Sequence, residues 1–132
     1  MRVVLDTNVF VSALVFPGGN ASVALDRVLD GRDALVLSKP IIDETIGILA
    51  RKFGRHAEEL ARTALFLTDI AELIAPDVEL AVFTDEPDNR VLECAVAGGA
   101  SAIVTGDKAM IAPGEHEGIE IVSLAEHVSR IP

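Results

Sequence analysis

Short runs of three or four aliphatic residues recur along the chain, separated by stretches where apolar residues return every three or four positions. A strand covered on both faces reads as a continuous apolar run, whereas a helix that covers it shows a stripe. Val3-Val4-Leu5, Ala34 to Leu37, Ala102-Ile103-Val104 and Ile119 to Val122 are predicted strands, with Ala71 to Ile74 a weaker fifth. Helices are predicted over Val9 to Phe16, from an Asn20 N-cap to about Asp30, and from a Ser38 cap through Ile41, Ile42, Thr45, Ile46, Leu49 and Phe53. Others run from His56 to Thr68 and from Asp88 to about Ala97, and the last begins at the capping box Ser123-Leu124-Ala125-Glu126. This alternation predicts a three-layer α/β/α fold around a mainly parallel sheet. No linker, repeat or low-complexity stretch interrupts it, so residues 1–132 are expected to form one domain.

The helix from Val9 to Phe16 departs from the stripe. Apart from Ser12 it is apolar on nearly every face, including Phe10, Val11, Leu14 and Phe16. A sheet covers one side of a helix, so part of this surface is expected to meet another chain.

Composition narrows the classes. Half of the residues are hydrophobic and the mean hydropathy is +0.41, which argues for a packed domain against disorder. No apolar run approaches the roughly 20 residues that span a bilayer, and an acid at position 6 comes too early for a signal peptide. The single cysteine, Cys94, allows neither an internal disulfide nor a Cys-rich zinc site. A cytoplasmic protein with no membrane partner is expected. The net charge of −10 disfavours indiscriminate nucleic-acid binding and suits a basic protein partner.

Four acids carry the candidate chemistry. Asp6 ends the first strand in Asp6-Thr7-Asn8, and Asp107 follows the strand ending Val104-Thr105-Gly106. Glu44 lies on the Ser38-capped helix at the border of its apolar stripe, and Asp88 lies at the start of another helix in Asp85-Glu86-Pro87-Asp88-Asn89. Singly, each has a structural explanation: Asp6 as a helix cap, Glu44 as a solvated helix residue, Asp88 as a complement to a helix dipole, Asp107 as a loop acid. Together they place carboxylates at strand ends, where open α/β sheets bind ligands, and hard divalent cations prefer such oxygens. Asp85 and Asp88 both remain open as the third acid. Cys94, mid-helix beside Ala95, reads as packing and not as a nucleophile.

In this order and spacing, Asp6-Thr7-Asn8, Ser38 with Glu44, Asp88-Asn89 and Val104-Thr105-Gly106-Asp107 resemble the PIN domain family of metal-dependent ribonucleases. The likeness runs over essentially the whole chain and is greatest to the small VapC-like toxins of toxin–antitoxin pairs. Met110-Ile111 stands where the family often has a leucine pair. The resemblance favours Asp88 as the third acid and implies an endoribonuclease that uses Mg²⁺ or Mn²⁺ to activate water against RNA phosphodiester bonds. Asp6, Glu44, Asp88 and Asp107 would be the catalytic and metal-holding residues, with Glu44 either a ligand or the group orienting the water. Asn8 and Thr105 would position these carboxylates. A cognate antitoxin and a homodimer are implied as partners. Arg51, Lys52 and Arg55, with Lys39 and Lys108, are the candidate RNA phosphate contacts, although the first three also suit a helix C-terminus. With no Trp or Tyr and five Phe, base stacking looks weakly supplied.

Three other readings share parts of this pattern. A haloacid-dehalogenase-like phosphatase needs Asp-x-Asp after its first strand, and Asn8 stands where the second Asp should be. A PIN-like nuclease of RNA processing or decay would share this site, and a catalytically inactive binding module would be expected to have lost some of the acids.

Overall fold

The computed structural model describes residues 1–130. The strands are β1 (Arg2–Leu5), β2 (Ala34–Ser38), β3 (Ala71–Ile74), β4 (Ala102–Thr105), β5 (Glu115–His116) and β6 (Ile119–Ser123). The helices are α1 (Thr7–Val15), α2 (Asn20–Leu29), α3 (Lys39–Phe53), α4 (Ala57–Ile70), α5 (Glu86–Ala97), α6 (Lys108–Ile111) and α7 (Leu124–Ser129). All six strands form one sheet in the order β3-β2-β1-β4-β6-β5, parallel except for the antiparallel β5–β6 pair.

The aliphatic runs become strands because both faces of the sheet are covered. Val3, Val4, Val36, Leu37, Ile103 and Val104 are completely buried, although successive side chains point to opposite faces. Helix α5 crosses β1, β2 and β4, while α1 packs with α2 and α2 with α7, so the layering is the expected α/β/α. Gly98, just past α5, stands where a Cβ would lie 2.3 Å from a Val36 methyl, and this lets the helix end sit tightly on β2.

Several expectations are corrected by the structure. Helix α1 starts two residues early, at Thr7, and buries Phe10 and Val11 within its own chain. Its surplus apolar surface is therefore confined to its C-terminal end, where Leu14 and Val15 are half-buried and Phe16 is 62% exposed. Gly19, not Asn20, occupies the N-cap of α2. Ser38 stands at the N-cap of α3, but its hydroxyl makes no capping bond. The Ser123 hydroxyl does accept from the Glu126 N–H, at 3.0 Å. The sequence pattern did not predict α6 or β5. The first is a single turn, and the second is joined to β6 through Glu117 and Gly118, both at positive φ, as a two-residue hairpin turn requires.

Candidate metal centre and adjoining cleft

Parallel pairing of Leu5 with Val104 brings the ends of β1 and β4 side by side, so the residues that follow each strand emerge together. The Asp6 N–H continues the ladder to the Val104 carbonyl at 2.9 Å. The Thr105 hydroxyl donates to Asp6 Oδ2 at 2.7 Å and accepts from the Asp107 N–H at 3.0 Å, tying both acids to one buried group. Asp107 caps α6, its Oδ1 accepting from the Ala109 N–H at 2.8 Å. Gly106 has no positive φ, and a Cβ there would meet nothing within 4 Å, so the turn itself does not demand glycine.

The third strand-end group comes from α5. Asp85 sits at its N-cap, yet its carboxylate caps no backbone N–H. Asp88, one turn on, is 5% exposed, and its Oδ2 has no hydrogen-bond partner among the described residues. The Ser38 hydroxyl and Arg90 Nε share that condition, but neither is an anion. One oxygen each from Asp85, Asp88 and Asp107 lie within 4.8 Å of one another. Oxygens across an Mg²⁺ stand roughly 4 Å apart, twice its bond length, so this group can close on such an ion with small side-chain movement.

The electrostatics follow from this crowding. Burial, then the charges of Asp107, Asp85 and Asp6, push the Asp88 carboxyl up to about 7. Burial also raises Asp6, only partly offset by the Thr105 hydrogen bond. An orphaned, buried carboxylate oxygen beside two further acids fits a divalent cation, which would satisfy the oxygen and relieve the repulsion together.

The sequence-predicted residues do not all converge. Asp85, Asp88 and Asp107 form one group, with Asp6 close enough to perturb Asp88. Glu44 is outside it: half-buried on α3, it lines a separate cavity of about 170 Å³ with Thr7, Ile41, Glu86 and Arg90. Thr105 hydrogen-bonds to both Asp6 and Asp107. Asn8 is exposed and hydrogen-bonds to no acid among the described residues. Lys39 pairs with Asp43 at 2.7 Å and Arg55 with Glu59 at 3.7 Å. Lys52 and Lys108 are exposed, and Arg51 folds back over Gly47, where an added Cβ would lie 2.7 Å from its guanidinium. None of these five basic residues lines the Asp85–Asp88–Asp107 cleft. Arg90, not singled out in the sequence, lines the Glu44 cavity instead, paired with Glu93 at 2.9 Å and Glu86 at 3.5 Å.

Residues 2–109 match the PIN domain family, and the chain belongs to it. An uncharacterized protein of Methanocaldococcus jannaschii is 31% identical over 116 residues, which cover 84% of this chain and 74% of that protein. Among solved structures, the fold is similar to a chain of VapBC2 from Rickettsia felis, bound there to a DNA fragment from its promoter. That match has a TM-score of 0.64 at 15% identity and covers 93% of this chain and 98% of the other. VapBC-1 from nontypeable Haemophilus influenzae matches with a TM-score of 0.66 at 17% identity, over 95% of this chain and 99% of the other.

Proposed function

We propose that the protein is a divalent-metal-dependent endoribonuclease acting as the toxin of a toxin–antitoxin pair. The observation that carries the metal-centre reading is the buried Asp88 oxygen left without a partner beside Asp85 and Asp107. Family membership and the likeness to chains of VapBC complexes support the nuclease and toxin assignments. Mg²⁺ or Mn²⁺ would be held by Asp88 and Asp107, with Asp85 and Asp6 at the same centre. When bound, the ion supplies Lewis acidity to the scissile phosphate and a more acidic water.

The chain's own residues do the rest. Thr105 holds the Asp6 carboxylate and the Asp107 backbone in fixed relation, so the centre does not have to reorganise during turnover. Asp107 is further fixed by the Ala109 amide. Glu44 lines the neighbouring cavity with Thr7 and lies outside the acid group, and its role here would be to orient the attacking water from that cavity. A second copy would meet the apolar end of α1, where Leu14 shares a groove of about 370 Å³ with Arg55, Glu59, Arg62 and Phe66, and a basic segment of the antitoxin would enter the acidic cleft. The test is incubation of the purified protein with varied single-stranded RNAs and Mn²⁺, using Asp107→Asn as the control for contaminating nuclease. Cleavage abolished by EDTA is expected; cleavage that persists in EDTA contradicts the metal mechanism.

A further inference from the structure

The segment between β3 and α5 has no regular structure, so its backbone groups need partners from elsewhere. Helix α5 supplies them. The fully buried Asn89 accepts from the Val82 and Phe83 N–H groups at 3.0 and 2.8 Å and donates to the Phe83 carbonyl at 2.9 Å. Glu93 accepts from the Leu80 N–H at 2.7 Å, and Arg90 donates to the Leu80 carbonyl at 3.3 Å. The loop is therefore fixed to the same helix that carries Asp88. Asn89 follows Asp88 directly, so the positions of Phe83 and of the buried carboxylate are set together.

This fixed loop builds one wall of a cleft of about 550 Å³. Asp85, Asp88 and Asp107 form one side, and Val82, Phe83 and Pro113 face the same space. Val82 is 50% exposed and Phe83 half-buried, with its body packed on the core. Phe83 is the one aromatic residue lining the cleft among the described residues. The volume is far larger than a cation and a phosphate group fill, and apart from Thr84 the remaining wall is apolar. A nucleotide matches both halves, because its phosphate goes to the cation and its base presents a flat, weakly hydrated face to an aromatic ring.

We infer that the Val82–Phe83 wall is a nucleobase subsite, in which the base of the nucleotide adjoining the scissile phosphate stacks on Phe83. This rests on the metal-centre reading above and deepens it. The base must leave its pair and its stack to reach Phe83, so the subsite selects unpaired RNA. Asn89 is the positioning residue, acting through the loop it clamps.

The test is an NMR titration of the Mg²⁺-loaded protein with uridine 5′-monophosphate, adenosine 5′-monophosphate and ribose 5-phosphate, following the Phe83 ring and the Asp88 and Asp107 amides. At least one nucleotide is expected to bind about tenfold more tightly than ribose 5-phosphate and to shift the Phe83 ring. Phe83→Ala should close that gap while the Mg²⁺-induced shifts at Asp88 and Asp107 remain, and Phe83→Trp should restore it. Asn89→Ala should narrow the gap with Phe83 still present. Equal affinity for all three ligands in a protein that binds Mg²⁺ overturns the base subsite alone. An absence of Mg²⁺-induced shifts overturns the metal-centre reading and the subsite with it.

Discussion

Two buried aspartates at opposite ends of the sheet are treated in opposite ways. Asp33 immediately precedes β2, at the N-terminal end of the strands, and is 3% exposed. Its carboxylate accepts two bonds from the Arg27 guanidinium, at 2.9 and 3.4 Å, and lies 3.3 Å from His127 Nε2. Burial alone would raise it, but the hydrogen bonds and charge of Arg27 outweigh burial and hold it below the ordinary carboxylate range. Asp88, at the other end and 5% exposed, has anions for neighbours and is pushed up to about 7. An acid that serves the fold is neutralised by the chain's own cations. Asp88 has no cation of the chain beside it, and a buried acid shifted in this way is a mark of a functional site.

The comparison breaks hardest at Asp33. Asp33→Ala leaves Arg27 and His127 facing a cavity without their anion, and a loss of about 3 kcal/mol is expected in urea unfolding. Asp88→Asn should do the reverse. It should cost at least 100-fold in RNA cleavage yet raise the stability of the metal-free protein at pH 8 by something on the order of 2 kcal/mol, because it removes an anion that its surroundings disfavour.

The pH dependences should be mirror images. Asp88, with its folded pKa near 7 and an unfolded value near about 4, holds a proton in the native state that the unfolded chain has lost. Its contribution is thus complete below about pH 4 and disappears as the pH rises through 7. Asp33 is lowered by folding, so its contribution is present above about pH 4 and is lost as acid protonates it. Urea midpoints from pH 3 to 9 should show both slopes, with the decline between about pH 4 and 7 absent in Asp88→Asn.

Smaller changes refine the same contrast. Thr105→Val removes the hydroxyl shared by Asp6 and Asp107, and roughly tenfold weaker metal binding is expected, with rescue by Thr105→Ser. Phe16→Glu at the exposed end of α1 should change stability by under about 1 kcal/mol while weakening self-association in light scattering. Phe10→Glu cannot serve that purpose, because Phe10 is 1% exposed and its substitution unfolds the core.

The four strands β1, β2, β4 and β6 were legible because covered parallel strands leave aliphatic runs, and Asp6 and Asp107 were legible because they follow two of them. Strand β3, half-exposed, was weak, and the two-residue β5 left no run. Less visible was what depends on side chains choosing among partners. Asp85 occupies the N-cap position of α5, yet its carboxylate caps no backbone N–H and lies with the acid group instead. Asn8 sits in the family-like motif but faces solvent, and Glu44 faces Arg90's cavity, not the three aspartates. Phe83 gave no signal at all. Its place beside the acids comes from the clamp of Asn89 on an irregular loop, a contact with no periodicity to read.

Calorimetric titration of the metal-free protein with Mg²⁺ at pH 6.5, repeated in buffers of differing ionisation enthalpy, tests most directly whether Asp88 awaits an external cation. Binding by the wild type with release of a substantial fraction of a proton is predicted, along with loss of both the binding and the proton release in Asp88→Asn. Tight binding without proton release, unchanged by Asp88→Asn, would contradict the account.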